Sequence, residues 1–79
     1  MIVYLLSVYK LNEDPLIEEI NLHQDFITLF EESDFWKHDP NYPHKITSLE
    51  EYEFIFQNEN TKLKYPYGRF DFYVECFSE

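Results

Sequence analysis

Side-chain character alternates strictly along residues 70–77, which read FDFYVECF. One face of such a strand would carry Phe70, Phe72, Val74 and Cys76, and the other Asp71, Tyr73, Glu75 and Phe77. The pattern predicts a strand whose apolar face meets the core and whose mixed face points outward. Just before it, residues 66–68 read PYG. Gly68 is the only glycine in the chain, as expected where a link needs a positive φ.

The other β segments lie on either side of the chain's middle. Residues 2–11, IVYLLSVYKL, predict a strand whose unbroken apolar start indicates burial on both faces. Residues 12–15 supply a turn, and residues 16–20 form either a short strand or an isolated turn. Residues 58–61, NENT, predict another turn, followed by a short strand at residues 62–65.

A helix is predicted over residues 22–33. Leu22, Phe26, Leu29 and Phe30 would form one apolar stripe. Asn21 is a suitable N-cap, with Gln24 in the capping-box position. The next segment, residues 37–44, contains two prolines and reads as a loop. Residues 49–57 favour a second helix capped by Ser48, although Tyr52, Phe54 and Phe56 also alternate as a strand would.

These elements predict a single α+β domain spanning residues 1–79. Its small antiparallel sheet has three or four strands, with one or two helices on one face. The 20% aromatic content favours a packed core in so short a chain. One cysteine excludes an intrachain disulfide, and the apolar opening is too short for a membrane span. We therefore expect a cytoplasmic protein.

Residues that could carry chemistry are few. His23, His38 and His44 lack the paired spacing of a zinc site, and Cys76 falls on the predicted core side of its strand. Adjacent carboxylates such as Glu18 and Glu19 diverge in direction and read as solvated charge. The expectation is a protein without catalytic activity, metal or cofactor, with its histidines on the surface.

Charge is the strongest functional signal. The formal net charge is −10 at pH 7, which disfavours nucleic acid and anionic membranes as partners. Residues 11–36 contain eight acidic side chains and residues 46–61 contain four, whereas every lysine and arginine lies outside both blocks. We predict a partner-binding surface made of Glu18, Glu19, Asp25, Glu31, Glu32, Asp34, Glu50, Glu51 and Glu53, with Phe35 and Trp36 as aromatic anchors.

This distribution favours an inhibitor that mimics nucleic acid and blocks a basic, nucleic-acid-binding protein. Immunity proteins, antitoxins and anti-CRISPR or anti-restriction proteins act on targets of this kind. One alternative is a regulatory subunit, monomeric or homodimeric, whose acidity serves solubility only. Another is a single-strand-binding module built on a hairpin of aromatic and basic residues at 62–70.

Overall fold

The computed structural model describes residues 1–13, 15–57 and 59–78, which form one antiparallel sheet and several short helices. In chain order the elements are β1 (Ile2–Lys10), β2 (Leu16–Leu22), α1 (Gln24–Glu32), α2 (Asp34–His38), β3 (His44–Lys45), α3 (Leu49–Ile55), α4 (Glu59–Lys64) and β4 (Phe70–Ser78). The described strands follow the order β2-β1-β4-β3. The predicted α+β class and antiparallel sheet are confirmed.

The first and last strands form the centre of the sheet. β1 pairs with β4 along its whole length, from Ile2 opposite Ser78 to Lys10 opposite Phe70. Its other edge pairs with β2. Leu6, Ser7 and Val8, whose side chains alternate between the two faces of the sheet, are all buried. The predicted burial on both faces is therefore confirmed at the middle of β1, whereas Ile2 at its start is exposed.

Alternation along the strands gives the sheet two different faces. The helices pack on what we call the covered face, which carries Leu6 and Val8 from β1 and Phe72 and Val74 from β4. These side chains join the helical residues Ile27, Phe30, Tyr52 and Ile55 in the buried core. The apolar alternation that predicted β4 therefore faces this core.

The opposite side, which we call the open face, carries the intervening residues. From β1 these are Val3, Leu5, Ser7 and Tyr9, and the β4 residues paired with them are Phe77, Glu75, Tyr73 and Asp71. None of these eight side chains belongs to the core cluster found among the described residues. The predicted mixed outer face is thus present.

The first helix begins later than predicted. Asn21 and Leu22 belong to β2, where they pair with Leu5 and Tyr4, so the strand ladder overrides the local helix signal. The N-cap is His23, whose Nδ1 accepts a hydrogen bond from the Asp25 backbone N–H at 3.1 Å. Without Leu22 the predicted stripe changes phase, because Ile27 is fully buried whereas Leu29 is 59% exposed.

Two short helices replace predicted irregular or β structure. α2 lies where the predicted loop begins, and Ser33 caps it by accepting a hydrogen bond from the Trp36 N–H. α4 occupies most of residues 62–65, so the strand predicted there is wrong. The Tyr52 hydroxyl donates to the Tyr65 carbonyl oxygen at 2.9 Å and holds the end of this segment over the core.

The other predicted elements are a strand or turn at residues 16–20, a helix within residues 49–57 and two turns. β2 settles residues 16–20 as strand, and α3, capped by Ser48, confirms the favoured helix in residues 49–57. Gly68 has a φ of 91°, as expected. Asp14 and Asn58, within the predicted turns at 12–15 and 58–61, lie outside the described residues, and residues 59–61 are helical.

Candidate partner-binding surface

The solvent-facing side of α1 is acidic with a leucine at its centre. Asp25, Thr28, Leu29 and Glu32 are all exposed, and their spacing places them on one side of the helix. Ile27 and Phe30 occupy the opposite, fully buried side. The packing of α1 on the sheet thus fixes which of its carboxylates meet solvent.

The second helix continues this acidic side. Asp34 lies in the first turn of α2 and is exposed. Glu31 is half-buried, and its Oε2 accepts a hydrogen bond from the Tyr42 hydroxyl at 3.0 Å. Burial, followed by this hydrogen bond, raises the pKa of Tyr42 above its ordinary value of 10.0. Glu31 is therefore tied to the body of the protein, whereas Asp34 projects into solvent.

A third helix contributes Leu49, Glu50 and Glu53, which are all exposed. α3 packs beside α1 and α2 through Phe54, whose ring centroid lies 5.7 Å from that of Phe26 and 5.8 Å from that of Phe35. The Phe54 ring therefore joins the three helices at the edge of the core. We define the acidic helical surface by Asp25, Glu32, Asp34, Glu50 and Glu53, with Leu29 and Leu49.

Internal cations neutralise little of this surface. Lysine ammonium groups lie within 4.0 Å of Glu13, Glu18, Glu53 and Asp71, and only Glu53 belongs to the acidic helical surface. Asp25 lies 3.6 Å from His23 Nδ1. In the part of the chain that the structure describes, Glu32, Asp34 and Glu50 have no lysine or arginine partner within that distance. Most carboxylates of the acidic helical surface therefore have no lysine or arginine partner among the described residues.

Two predicted residues from β2 do not join the acidic helical surface. Glu18 lies on the covered face, where Lys64 Nζ approaches its Oε1 at 2.9 Å and the Tyr65 hydroxyl donates to the same oxygen. The hydrogen bond from Tyr65, followed by that from Lys64, lowers the pKa of Glu18 below its ordinary value of 4.5. Glu19 pairs with Ser7 and therefore lies on the open face.

Glu51 is the clearest correction, because it is buried rather than available to a partner. It is 2% exposed, and its Oε2 lies 2.5 Å from Nε2 of His44, which is itself 4% exposed. Its Oε1 accepts a hydrogen bond from the Thr47 backbone N–H at 3.2 Å. The expectation of a surface histidine at position 44 is also wrong. Pairing of His44 with Val74 places the imidazole on the covered face.

Both ring nitrogens of His44 lie within hydrogen-bond distance of an oxygen atom. His44 Nδ1 lies 3.2 Å from the Asp39 carbonyl oxygen, which can only accept, so Nδ1 is the donor. The contact between Nε2 and the Glu51 carboxyl then also requires a proton. The pair forms the inner end of a cleft of about 430 Å³, where Asp34 and Phe35 from α2 face Ser48 at the start of α3.

Phe35 and Trp36 serve the core more than the surface. Both are half-buried, and the Trp36 ring centroid lies 4.4 Å from that of Tyr42 and 5.9 Å from that of Phe30. The exposed apolar groups beside the carboxylates are instead Leu29 and Leu49, which the sequence reasoning missed as anchors. The sequence did contain a signal for these two leucines, since acidic residues lie on the same side of the helix as Leu29 and as Leu49.

The predicted hairpin of aromatic and basic residues does not form. Lys62 and Lys64 belong to α4, and their ammonium groups contact Glu53 and Glu18. Tyr65 is buried in the core. Tyr67, in the same segment, is exposed.

The groups considered for metal or cysteine chemistry are dispersed. His23 caps α1, His38 ends α2 and His44 is buried beside Glu51. Within residues 1–13, 15–57 and 59–78, no three His, Cys, Asp or Glu side chains are grouped so that they could hold a metal ion. Cys76 is half-buried on the covered face, opposite Tyr4.

Comparison with protein-family models, with curated proteins and with solved structures finds no match for this chain. The helices in the described part of the chain are too short or too polar to span a bilayer. The class defined by fold and surface is a small α+β domain with an acidic helical layer.

Proposed function

We propose that this protein is a non-catalytic inhibitor that binds a basic, nucleic-acid-binding protein and covers the surface which would otherwise hold nucleic acid. A nuclease, a toxin or a phage-defence effector would present such a surface. The observation that carries the proposal is the set of exposed carboxylates on α1, α2 and α3 that have no lysine or arginine partner among the described residues.

Rigid placement of these carboxylates supports mimicry of a phosphate backbone. α1 is anchored by the fully buried Ile27 and Phe30, and Phe54 connects it to α3. A partner would therefore meet carboxylates carried on helices whose backbone is already ordered, which lowers the entropic cost of binding. Attraction between the two surfaces would speed encounter, whereas Leu29 and Leu49 would slow dissociation by burying apolar area.

The test begins with capture of a partner from host lysate on three forms of the immobilised protein. One is the wild type, and the second carries Glu32→Gln and Asp34→Asn in the acidic helical surface. The third is a charge-matched control with Glu13→Gln and Glu19→Gln, two residues outside that surface. We expect a basic nucleic-acid-binding protein to be retained by the wild type and the control and to be depleted on the helical variant.

The captured protein is then tested for direct competition with nucleic acid. We expect the wild type to displace a labelled duplex or single strand from it, and the association rate to fall steeply between about 50 and 200 mM salt as charges become screened. A partner with no affinity for nucleic acid would contradict the proposal. Equal binding by the helical and control variants would favour the regulatory subunit whose acidity serves solubility only.

A further inference from the structure

A second concave site lies on the open face, away from the acidic helical surface. This cleft has a volume of about 480 Å³ and is lined by Tyr9, Tyr73, Asp71 and Glu75, with the loop after β1 at its edge. Register places Tyr9 opposite Asp71, and Tyr73 and Glu75 follow on the same face of β4. The proposed function makes no use of this cleft.

Two tyrosine rings form the walls of the cleft. The centroids of Tyr9 and Tyr73 lie 5.6 Å apart with an interplanar angle of 89°, so the rings meet edge to face. Both residues are half-buried, and burial followed by the nearby Glu75 raises the pKa of Tyr9 above 10.0. These π-electron-rich rings line the cleft together with the carboxylates of Asp71 and Glu75. The faces of such rings attract cations.

The carboxylates at the cleft are held in place by neutral donors. The Ser7 hydroxyl, which is fully buried, donates to Glu75 Oε2. The Asn12 backbone N–H donates to Asp71 Oδ2 at 3.1 Å. These hydrogen bonds come from neutral donors, so they orient both side chains without cancelling their charge, and a carboxylate can accept several hydrogen bonds at once.

The chain itself places one cation at the rim of this site. Lys45 Nζ lies 5.9 Å from the Tyr73 ring centroid and 3.8 Å from Asp71 Oδ1, and its side chain is about half-exposed. Both contacts are long, so an external cation with better geometry could compete with the Lys45 ammonium for Tyr73 and Asp71. The aromatic ring and the carboxylate thus already act together on a positive group.

We propose that the open-face cleft binds an arginine side chain of a protein partner. A planar guanidinium can stack on one tyrosine ring while donating two parallel hydrogen bonds to Asp71 or Glu75. A lysine ammonium would make the electrostatic contacts but could neither stack nor donate in this forked geometry. The inference is independent of the acidic helical surface, because it concerns the other face of the sheet.

The test uses short peptides as probes of the isolated, isotope-labelled protein. N-acetylated, C-amidated Gly-Arg-Gly is titrated while backbone amide shifts are recorded, alongside matched Gly-Lys-Gly and Gly-citrulline-Gly peptides. We expect saturable shifts centred on Tyr9, Asn12 and residues 71–75, with arginine binding several-fold tighter than lysine and citrulline not binding. Equal shifts with magnesium chloride at the same concentration, or with the lysine peptide, would overturn the proposal.

Three substitutions sharpen this test. Tyr73→Leu and Glu75→Gln should each weaken binding of the arginine peptide by about five-fold or more, because each removes one charge-recognising contact. Lys45→Gln should strengthen it, because the internal competitor is lost. Glu32→Gln on the helical surface is the control and should change nothing. Unchanged affinity in both Tyr73→Leu and Glu75→Gln, with folding intact, would show that the peptide does not use this cleft.

Discussion

The covered and open faces of the sheet are built from the same strands and differ only in which alternate residues they carry. On the covered face Leu6, Val8, Phe72 and Val74 have almost no exposure. On the open face Leu5, Tyr9 and Tyr73 remain half-buried, and Glu75 interrupts the apolar surface. The covered face buries nearly all of its apolar area when the chain folds, whereas the open face leaves part of its apolar area accessible to solvent.

Ionisable groups are also placed differently on the two faces of the sheet. At the edge of the covered face Glu51 and His44 are enclosed together, so neither side chain is presented to a partner at the surface. On the open face Asp71 and Glu75 are oriented by hydrogen bonds but stay in contact with solvent. Burial, more than residue type, decides which carboxylates remain available to a partner.

The largest difference between the faces is expected for large-to-small substitutions. Phe30→Ala removes a fully buried ring and should cost about 3–5 kcal/mol, close to the whole stability of a domain this small. Tyr73→Ala, on the half-exposed open face, should cost about 1 kcal/mol. Urea denaturation monitored by circular dichroism measures both. Equal losses would mean that the open face is as important to folding as the core.

A smaller but sharper contrast is expected between neighbouring glutamates. Glu51→Ala leaves the His44 imidazole buried without its carboxyl partner and should destabilise the fold by about 3 kcal/mol. Glu50→Ala changes an exposed side chain one residue away and should stay within about 0.5 kcal/mol. Melting temperatures of the two variants provide the measurement. If Glu51→Ala left the melting temperature unchanged, that result would contradict a stabilising role for the buried His44–Glu51 pair.

The hydrogen bond beneath the open face should have an intermediate effect. Ser7→Ala removes the hydroxyl that donates to Glu75, and we expect a loss of about 1–2 kcal/mol because the acceptor is charged. Glu75→Gln keeps a possible acceptor in place and should cost less. Chemical denaturation of both variants measures the two losses of stability. If Ser7 contributed only through packing, Ser7→Ala would cost less than Glu75→Gln.

The smallest expected effect depends on pH and concerns Glu18. Its pKa is lowered in the folded protein, so its contribution to stability is present above the ordinary value of 4.5 and is lost as pH falls through the folded pKa. The melting temperatures of wild type and Glu18→Gln should therefore differ at pH 7 and converge as the pH falls through the lowered pKa of the folded protein. Glu19→Gln, on the open face, is the control. A difference that persists in acid would contradict this linkage.

Local patterns predicted the parts of the fold in which neighbouring residues decide the outcome. Alternation in residues 70–77 identified β4 and its two faces, and Ser48 identified the start of α3. The predicted start of α1 was wrong because Asn21 and Leu22 pair with residues of β1. Those residues lie about 16 to 18 positions away in the chain. A local capping signal cannot compete with a ladder of backbone hydrogen bonds that the sequence pattern does not reveal.

The candidate surface was predictable as a set of charges but not as a shape. Sequence by itself determined the net acidity, the α+β class and the clustering of carboxylates around the helices. Only the tertiary structure decided that Glu51 is enclosed by His44, that Glu18 is held by Lys64 and Tyr65, and that Glu19 lies on the other face. The physical reason is that charge belongs to a residue, whereas burial and pairing depend on distant segments that meet only when the chain has folded.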